Sequence, residues 1–221
     1  MNLMRKLVLL AVAITMLILS ASLFSEAVAD ISVGVKKGDW IKYQVKETGN
    51  VTSDYNITWA RIDVASVQGS KINIDVQTGY ANGTLYPEKV PLNLATGAIG
   101  DGFFVPTNLN LGDQFYSEYQ GNMTIISIWQ LEVGGALRTV ISATSNQTTY
   151  YWDRQTGILV GATTSFPSFT LFTMTSGTNL WQPQIIGLES TVFYIFLIAI
   201  VIVLVAIFVI SVWYRKMRLK T

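Results

Sequence analysis

Two kinds of hydrophobic pattern divide this chain. Its middle alternates. From Trp40 to Lys46 the apolar Ile41, Tyr43 and Val45 share one face, and Lys42, Gln44 and Lys46 share the other. From Lys71 to Gln77, Ile72, Ile74 and Val76 oppose Lys71, Asn73, Asp75 and Gln77. A period of two is the signature of a half-buried β-strand. Further strands are expected over residues 58–67, 123–133, 137–143, 148–152, 158–164 and 169–175, all rich in Val, Ile, Thr, Tyr and Trp. Turn residues separate them at Gln68-Gly69-Ser70, Asn82-Gly83, Gly134-Gly135 and Asp153–Gly157, with Gly157 placed for a left-handed backbone. Residues 86–104 carry Pro87, Pro91, Gly97, Gly100 and Gly102 and read as an irregular excursion. The pattern predicts a mainly β domain over 30–174. It is either one curved antiparallel sheet forming an open barrel or a β-sandwich.

The two ends do not alternate. Residues 7–24 form one apolar run behind Arg5 and Lys6, followed by the small residues Ala27-Val28-Ala29. This is the layout of a signal peptide over 1–29, cleaved before Asp30. An uncleaved second span is the alternative. Residues 192–213 contain no charge and reach about 33 Å as a helix, enough to cross a bilayer. Phe193, Tyr194, Trp213 and Tyr214 flank this stretch as interfacial aromatics do, and Arg215, Lys216, Arg218 and Lys220 follow. The expected order is a β domain outside the cell, a stalk over 175–191, a transmembrane helix over 192–213 and a basic cytoplasmic tail over 214–221.

Composition narrows the chemistry. Among 221 residues there is no Cys and no His, and 15 Lys+Arg nearly balance 14 Asp+Glu. Thiolate nucleophiles, disulfides, Cys/His zinc sites and His-based triads are therefore absent. The charge balance gives no basic stripe for a nucleic acid. Asp54, Asp63, Asp75, Glu118 and Glu132 are the carboxylates a hydrolase would use, but no motif brings two of them together. Asn108, Asn110 and Asp113 offer alternating oxygens with a single carboxylate, short of a calcium loop. Lys37-Gly38-Asp39-Trp40 and Leu111-Gly112-Asp113 read as turns in which Asp bonds its own backbone. No catalytic residue, metal site or cofactor is assigned. Trp40, Trp59, Trp129, Trp152 and Trp181 read first as core, and secondly as the wall of an apolar ligand site.

The strongest chemical signal is a set of five N-x-T sequons at Asn50, Asn56, Asn82, Asn122 and Asn146. In a secreted domain these are N-glycosylation acceptors.

Gly38-Asp39-Trp40, Leu109–Asp113 and Tyr151-Trp152-Asp153-Arg154-Gln155-Thr156-Gly157, set between a leader and a basic-tailed span, resemble archaeal membrane-anchored cell-surface proteins of no established activity. The Trp-Asp-x-x-Thr-Gly hairpin is also similar to that of lipoprotein-carrier half-barrels. That resemblance implies a bent antiparallel sheet forming an apolar cup closed by helices. The leading expectation is an anchored, glycosylated surface domain that acts by binding or structural interaction. Its partner would be a surface coat or a membrane protein. The alternative is a cup for a lipid or other apolar ligand. A carboxylate hydrolase and an accessory subunit of a membrane complex stand behind these two.

Overall fold

The computed structural model describes residues 31–49, 57–185 and 187–218. The leader over 1–29, Asn50, Asp54, Asn56 and Lys220 lie outside the described residues.

The chain builds one large antiparallel sheet from two meanders. The first comprises β1 (Trp40–Gly49), β2 (Ile57–Gln68), β3 (Lys71–Tyr80) and β4 (Leu85–Asn93). The second comprises β7 (Ser127–Val133), β8 (Ala136–Ser145), β9 (Thr148–Asp153), β10 (Leu159–Ser165) and β11 (Phe169–Thr178). Their first and last strands join in the middle, β1 against β11, so the order is β4-β3-β2-β1-β11-β10-β9-β8-β7. The open-sheet expectation holds, and the sandwich alternative does not. The additional pairings are the small hairpin of β5 (Gln114–Ser117) with β6 (Gly121–Thr124), and the two-residue pair β12 (Gln184–Ile185) with β13 (Leu188–Glu189).

Alternation works as read. Ile41 and Tyr43 of β1 and Ile72, Ile74 and Val76 of β3 are buried on one face, and Lys42, Gln44, Lys71, Asn73 and Asp75 are exposed on the other. Two expectations change. The stretch over 86–104 begins with a true strand, β4, at the edge of the sheet. Pro87 and Pro91 are four residues apart, so their missing N–H groups fall on the same side of the strand. An edge strand tolerates that on its outer side. The strand expected over 123–133 is also broken, because Ile125 and Ile126 lead the chain out of β6 and into β7.

Among the described residues, what closes the concave face is no helix but the segment 94–126, irregular apart from the β5–β6 hairpin. Leu94, Ile99, Phe104, Val105, Phe115, Met123 and Ile125 of this segment are buried in the same core as the sheet. Its anchor is the β9–β10 hairpin. The Val105 N–H donates to Gly157 O (2.9 Å), the Leu159 N–H to Phe103 O (2.9 Å), and the Trp152 indole to Gly102 O (2.6 Å). Gly157 has φ +71° as expected, and a Cβ there would lie 2.1 Å from Val105 O. Only glycine lets the two segments meet this closely.

The Gly-Asp turns before β1 and β5 are built alike. In each, the Asp side chain accepts from the backbone N–H three residues earlier: Lys36 to Asp39 (2.8 Å) and Asn110 to Asp113 (2.7 Å). Each glycine N–H then donates to a neighbouring carbonyl, Gly38 to Val64 O in β2 and Gly112 to Ile125 O just past β6.

β11 runs to Thr178, so the segment read as a stalk begins inside the sheet. Trp181 then folds back on the convex face, its indole donating to Val133 O (2.8 Å) with the Arg138 guanidinium over its ring. Beyond β13 comes α1 (Ser190–Arg218). Its stretch Ser190–Phe208 is long and apolar enough to cross a membrane, and none of it is buried against protein.

Candidate functional site

The concave face is not filled throughout. A cavity of about 500 Å³ lies between β1–β4, β9–β11 and the closing segment. Its wall is apolar: Tyr43, Val45, Ala60, Val76, Val90, Phe103, Leu159 and Ala162. In a flat sheet β4 and β9 would stand about 29 Å apart, six strand spacings. One cavity touches both, so the sheet curls into a cup.

Irregularities in the ladder shape this wall. Between Leu159 and Gly161 the β9–β10 register slips, which places Leu159 and Ala162 on the same lining. The carbonyls released by that slip are claimed by side chains. The Tyr43 hydroxyl reaches across β11 to donate to Leu159 O (2.7 Å), and the Thr175 hydroxyl donates to Val160 O (2.8 Å). Burial pushes the Tyr43 phenol well above its usual value, because the anion would have no water around it. Tyr150 is raised in the same direction, chiefly by burial and further by the charge of Asp101.

The mouth is polar. Thr78, Thr148, Thr164 and Thr173 line it, and the exposed Glu88, Asp101 and Tyr119 mark where it meets solvent. No lysine or arginine is among the lining residues. Glu88 and Asp101 were not singled out by sequence. They stand on an edge strand and in the closing segment, and only the fold brings both to this cavity.

Strand register gives the cup two ends. The pairs Gly49↔Phe169, Ile57↔Tyr80 and Ser145↔Thr148 lie at one end, and the mouth residues Thr148 and Thr164 belong to it. The turns at Gly69, Gly134–Gly135 and Asp153–Gly157 lie at the other. The start of α1 is tied to that second end, since Gln184 N–H donates to Gly135 O (2.7 Å) and Ser190 N–H to Pro183 O (3.0 Å).

The sequence-derived candidates scatter around this geometry. Asn82, Asn122 and Asn146 are all exposed. Asn82 lies in the β3–β4 turn and Asn146 (φ +52°) in the β8–β9 turn, both at the mouth end. Asn50 and Asn56 fall outside the described residues, in the connection from Gly49 to Ile57. Among the carboxylates, Asp63 is clamped by Arg61 (2.7 Å) on the convex face, and Asp75 faces it across the β2–β3 ladder with Lys89 at 4.0 Å. Glu118 and Glu132 are exposed elsewhere. The Leu109 carbonyl and the Asn110 side-chain oxygen are taken by Arg154 (2.8 and 2.7 Å). Among the described residues, no group of three or more Asp and Glu gathers as metal ligands do.

The aromatic residues divide between core and convex face. Trp152 is fully buried, stacked on Tyr150 and edge-on to Phe115. Trp40 and Trp59 lie on the convex face under Arg61 and Lys42, and Trp129 packs edge-on to Tyr151 there. Among the described residues, the aromatic rings that line the cavity are those of Tyr43, Phe103, Tyr119 and Tyr150. The tryptophans themselves do not.

Comparison with protein families finds no match, and neither does comparison with curated proteins. Two solved structures are similar at low identity. Lipoprotein LppX of Mycobacterium tuberculosis shares 18% identity over 63% of this chain and 86% of its own, with a TM-score of 0.30. The siderocalin Ex-FABP, described as functioning through dual ligand specificities, shares 13% identity over 63% of this chain and 70% of its own, with a TM-score of 0.24.

Proposed function

We propose that this protein is a membrane-anchored binder of an apolar or amphiphilic small molecule, held in the cup. The observation that carries this reading is the cavity: about 500 Å³ with an apolar wall and a polar, solvent-facing mouth. That size and this division of polarity are those of a small-molecule site. α1 supplies the anchor, and Arg215, Lys216 and Arg218 at its far end favour a cytoplasmic C-terminus with the cup outside. The cup mouth then stands at the end of the sheet away from the membrane. The exposed Asn82 and Asn146 flank that end as glycan acceptors, and Asn122, Asn50 and Asn56 complete the set. The protein acts by binding rather than by catalysis in this reading.

The test compares full-length protein with its Ala162→Trp variant, each purified from its own membrane and examined by native mass spectrometry. Wild type is expected to carry a non-covalent apolar compound near one per chain, which the indole of the variant displaces. Equal occupancy of the two proteins, or none in either, would refute the cup. Sugar-sized covalent increments on Asn82, Asn122 and Asn146 peptides are expected in the same samples, and unmodified peptides would refute glycosylation.

A further inference from the structure

Charge is sorted across the sheet. Six lysines and arginines lie in the nine strands: Lys42, Lys46, Arg61, Lys71, Lys89 and Arg138. By alternation every one points to the convex side, opposite Tyr43, Val45, Ile62, Ile72, Val90 and Ile141. Contacts hold four of them there. Lys42 and Arg61 sit over Trp59 and Trp40 at 4.9 and 4.4 Å, Lys89 lies 4.0 Å from Asp75, and Arg138 is paired with Asp153. The carboxylates of the nine strands that alternate to the concave side are Glu47, Glu88 and Glu132. The closing segment adds Asp101 to Glu88 at the mouth.

Neither Glu88 nor Asp101 has an ion-pair partner among the described residues. Among the described residues, a headgroup resting at the mouth therefore meets two carboxylates, several hydroxyls and no fixed cation. Resting on the cup reading above, we propose that the ligand is a single-chain amphiphile with a positively charged headgroup, and that the cup discriminates against carboxylate and phosphate headgroups. The apolar wall takes the chain, and Glu88 and Asp101 set the sign of the head.

The test uses the full chain in nanodiscs of zwitterionic lipid, with the neutral probe N-phenyl-1-naphthylamine in the cup. Dodecylamine, monolaurin and lauric acid share a chain length and differ in headgroup charge. Ala162→Trp run in parallel removes the signal due to partition into the disc. Dodecylamine is expected to displace the probe at about tenfold lower concentration than lauric acid, with monolaurin between them, as two nearby charges in a solvated mouth require. The gap narrows in high salt. The exposed pair Glu88→Gln/Asp101→Asn should nearly abolish it while leaving monolaurin unchanged. Lauric acid binding as well as dodecylamine, or a gap that survives the double substitution, overturns the headgroup assignment and leaves the cup reading standing. If no compound displaces more probe from wild type than from Ala162→Trp, both readings fall.

Discussion

Asp153 is fully buried, yet it is charged and stands next to a hairpin turn. Its carboxylate accepts four hydrogen bonds. Two come from Arg138, through Nε (2.9 Å) and Nη2 (3.1 Å), and two from Thr156, through the backbone N–H (2.9 Å) and the hydroxyl (2.8 Å). Asp153→Asn preserves volume but replaces one acceptor oxygen by a donor, so Arg138, which bonds both oxygens, faces an N–H group in either orientation, and Thr156 faces it too when Oδ2 is the atom replaced. Breaking one side of a buried ion pair costs about 3–5 kcal/mol. Arg138 keeps compensations, since its side chain is 18% exposed, Gln155 Oε1 lies 2.9 Å from Nη2, and the Trp181 ring lies under its guanidinium. The expected loss for Asp153→Asn is thus at the low end, about 3 kcal/mol. Asp153→Ala also deprives Thr156 of both bonds and should lose about 1–2 kcal/mol more. In a domain of this size 3 kcal/mol corresponds to a melting-temperature drop of about 6–12 °C. The assay is thermal unfolding of full-length protein in detergent, followed by near-ultraviolet dichroism of the buried Trp152. Arg138→Met combined with Asp153→Asn closes a double-mutant cycle, in which the two losses should fall short of additive by at least about 1 kcal/mol. A drop under 3 °C for Asp153→Asn, or simple additivity in the cycle, would refute the argument.

Three further outcomes are expected. Tyr43 and Tyr150 titrate above their unfolded values because burial disfavours the phenolate. Their contribution is complete below about pH 10 and is lost as pH rises beyond it, where the unfolded chain gives up these protons first. Tyr43→Phe should cost about 1 kcal/mol at neutral pH by losing the bond to Leu159 O, and should flatten the alkaline decline of melting temperature. An unchanged alkaline slope would exclude Tyr43. Gly157→Ala meets Val105 O at 2.1 Å in addition to its positive φ, whereas Gly69→Ala, at φ +57°, meets nothing within 4 Å. Melting should show a loss of about 1–2 kcal/mol for Gly69→Ala and clearly more for Gly157→Ala; equal losses would mean the close approach is unimportant. Replacing Pro87 and Pro91 by Val should leave melting almost unchanged but promote self-association by sedimentation, because the edge of β4 regains its donors. A monodisperse variant would show that the prolines do not guard the edge.

How much of this was legible in the chain depends on range. Ile41, Tyr43 and Val45, or Ile72, Ile74 and Val76, announce their buried face because a strand presents every second residue to the same side. The turns at Gly69, Asn82, Gly134–Gly135 and Gly157 could be read for the same local reason, as could the apolar stretch that becomes α1. Alternation also carries the sorting of charge: the parity of Lys42, Lys46, Arg61, Lys71, Lys89 and Arg138 against their apolar neighbours is present in the sequence. It gains meaning only once one knows which face is concave. β4 was missed because proline normally speaks against a strand, and nothing local says that this one lies at an edge.

Other features had no local signal. Asp153 reads as a turn residue, and its pairing with Arg138, whose guanidinium lies over the Trp181 ring on the convex face, joins three distant stretches of chain. Glu88 and Asp101 meet the same cavity only because segment 94–126 returns across the sheet. The sequence by itself determined most of the strands outside the closing segment and the edge strand β4, which face of each is apolar, and that an apolar helix follows, since these are set by spacing over a few residues. The tertiary structure decided that β1 pairs with β11 across some 130 positions, that the sheet closes on a segment without periodicity, and that space is left between them. Those outcomes depend on how the whole surface packs, and no short-range pattern encodes the volume that packing leaves unfilled.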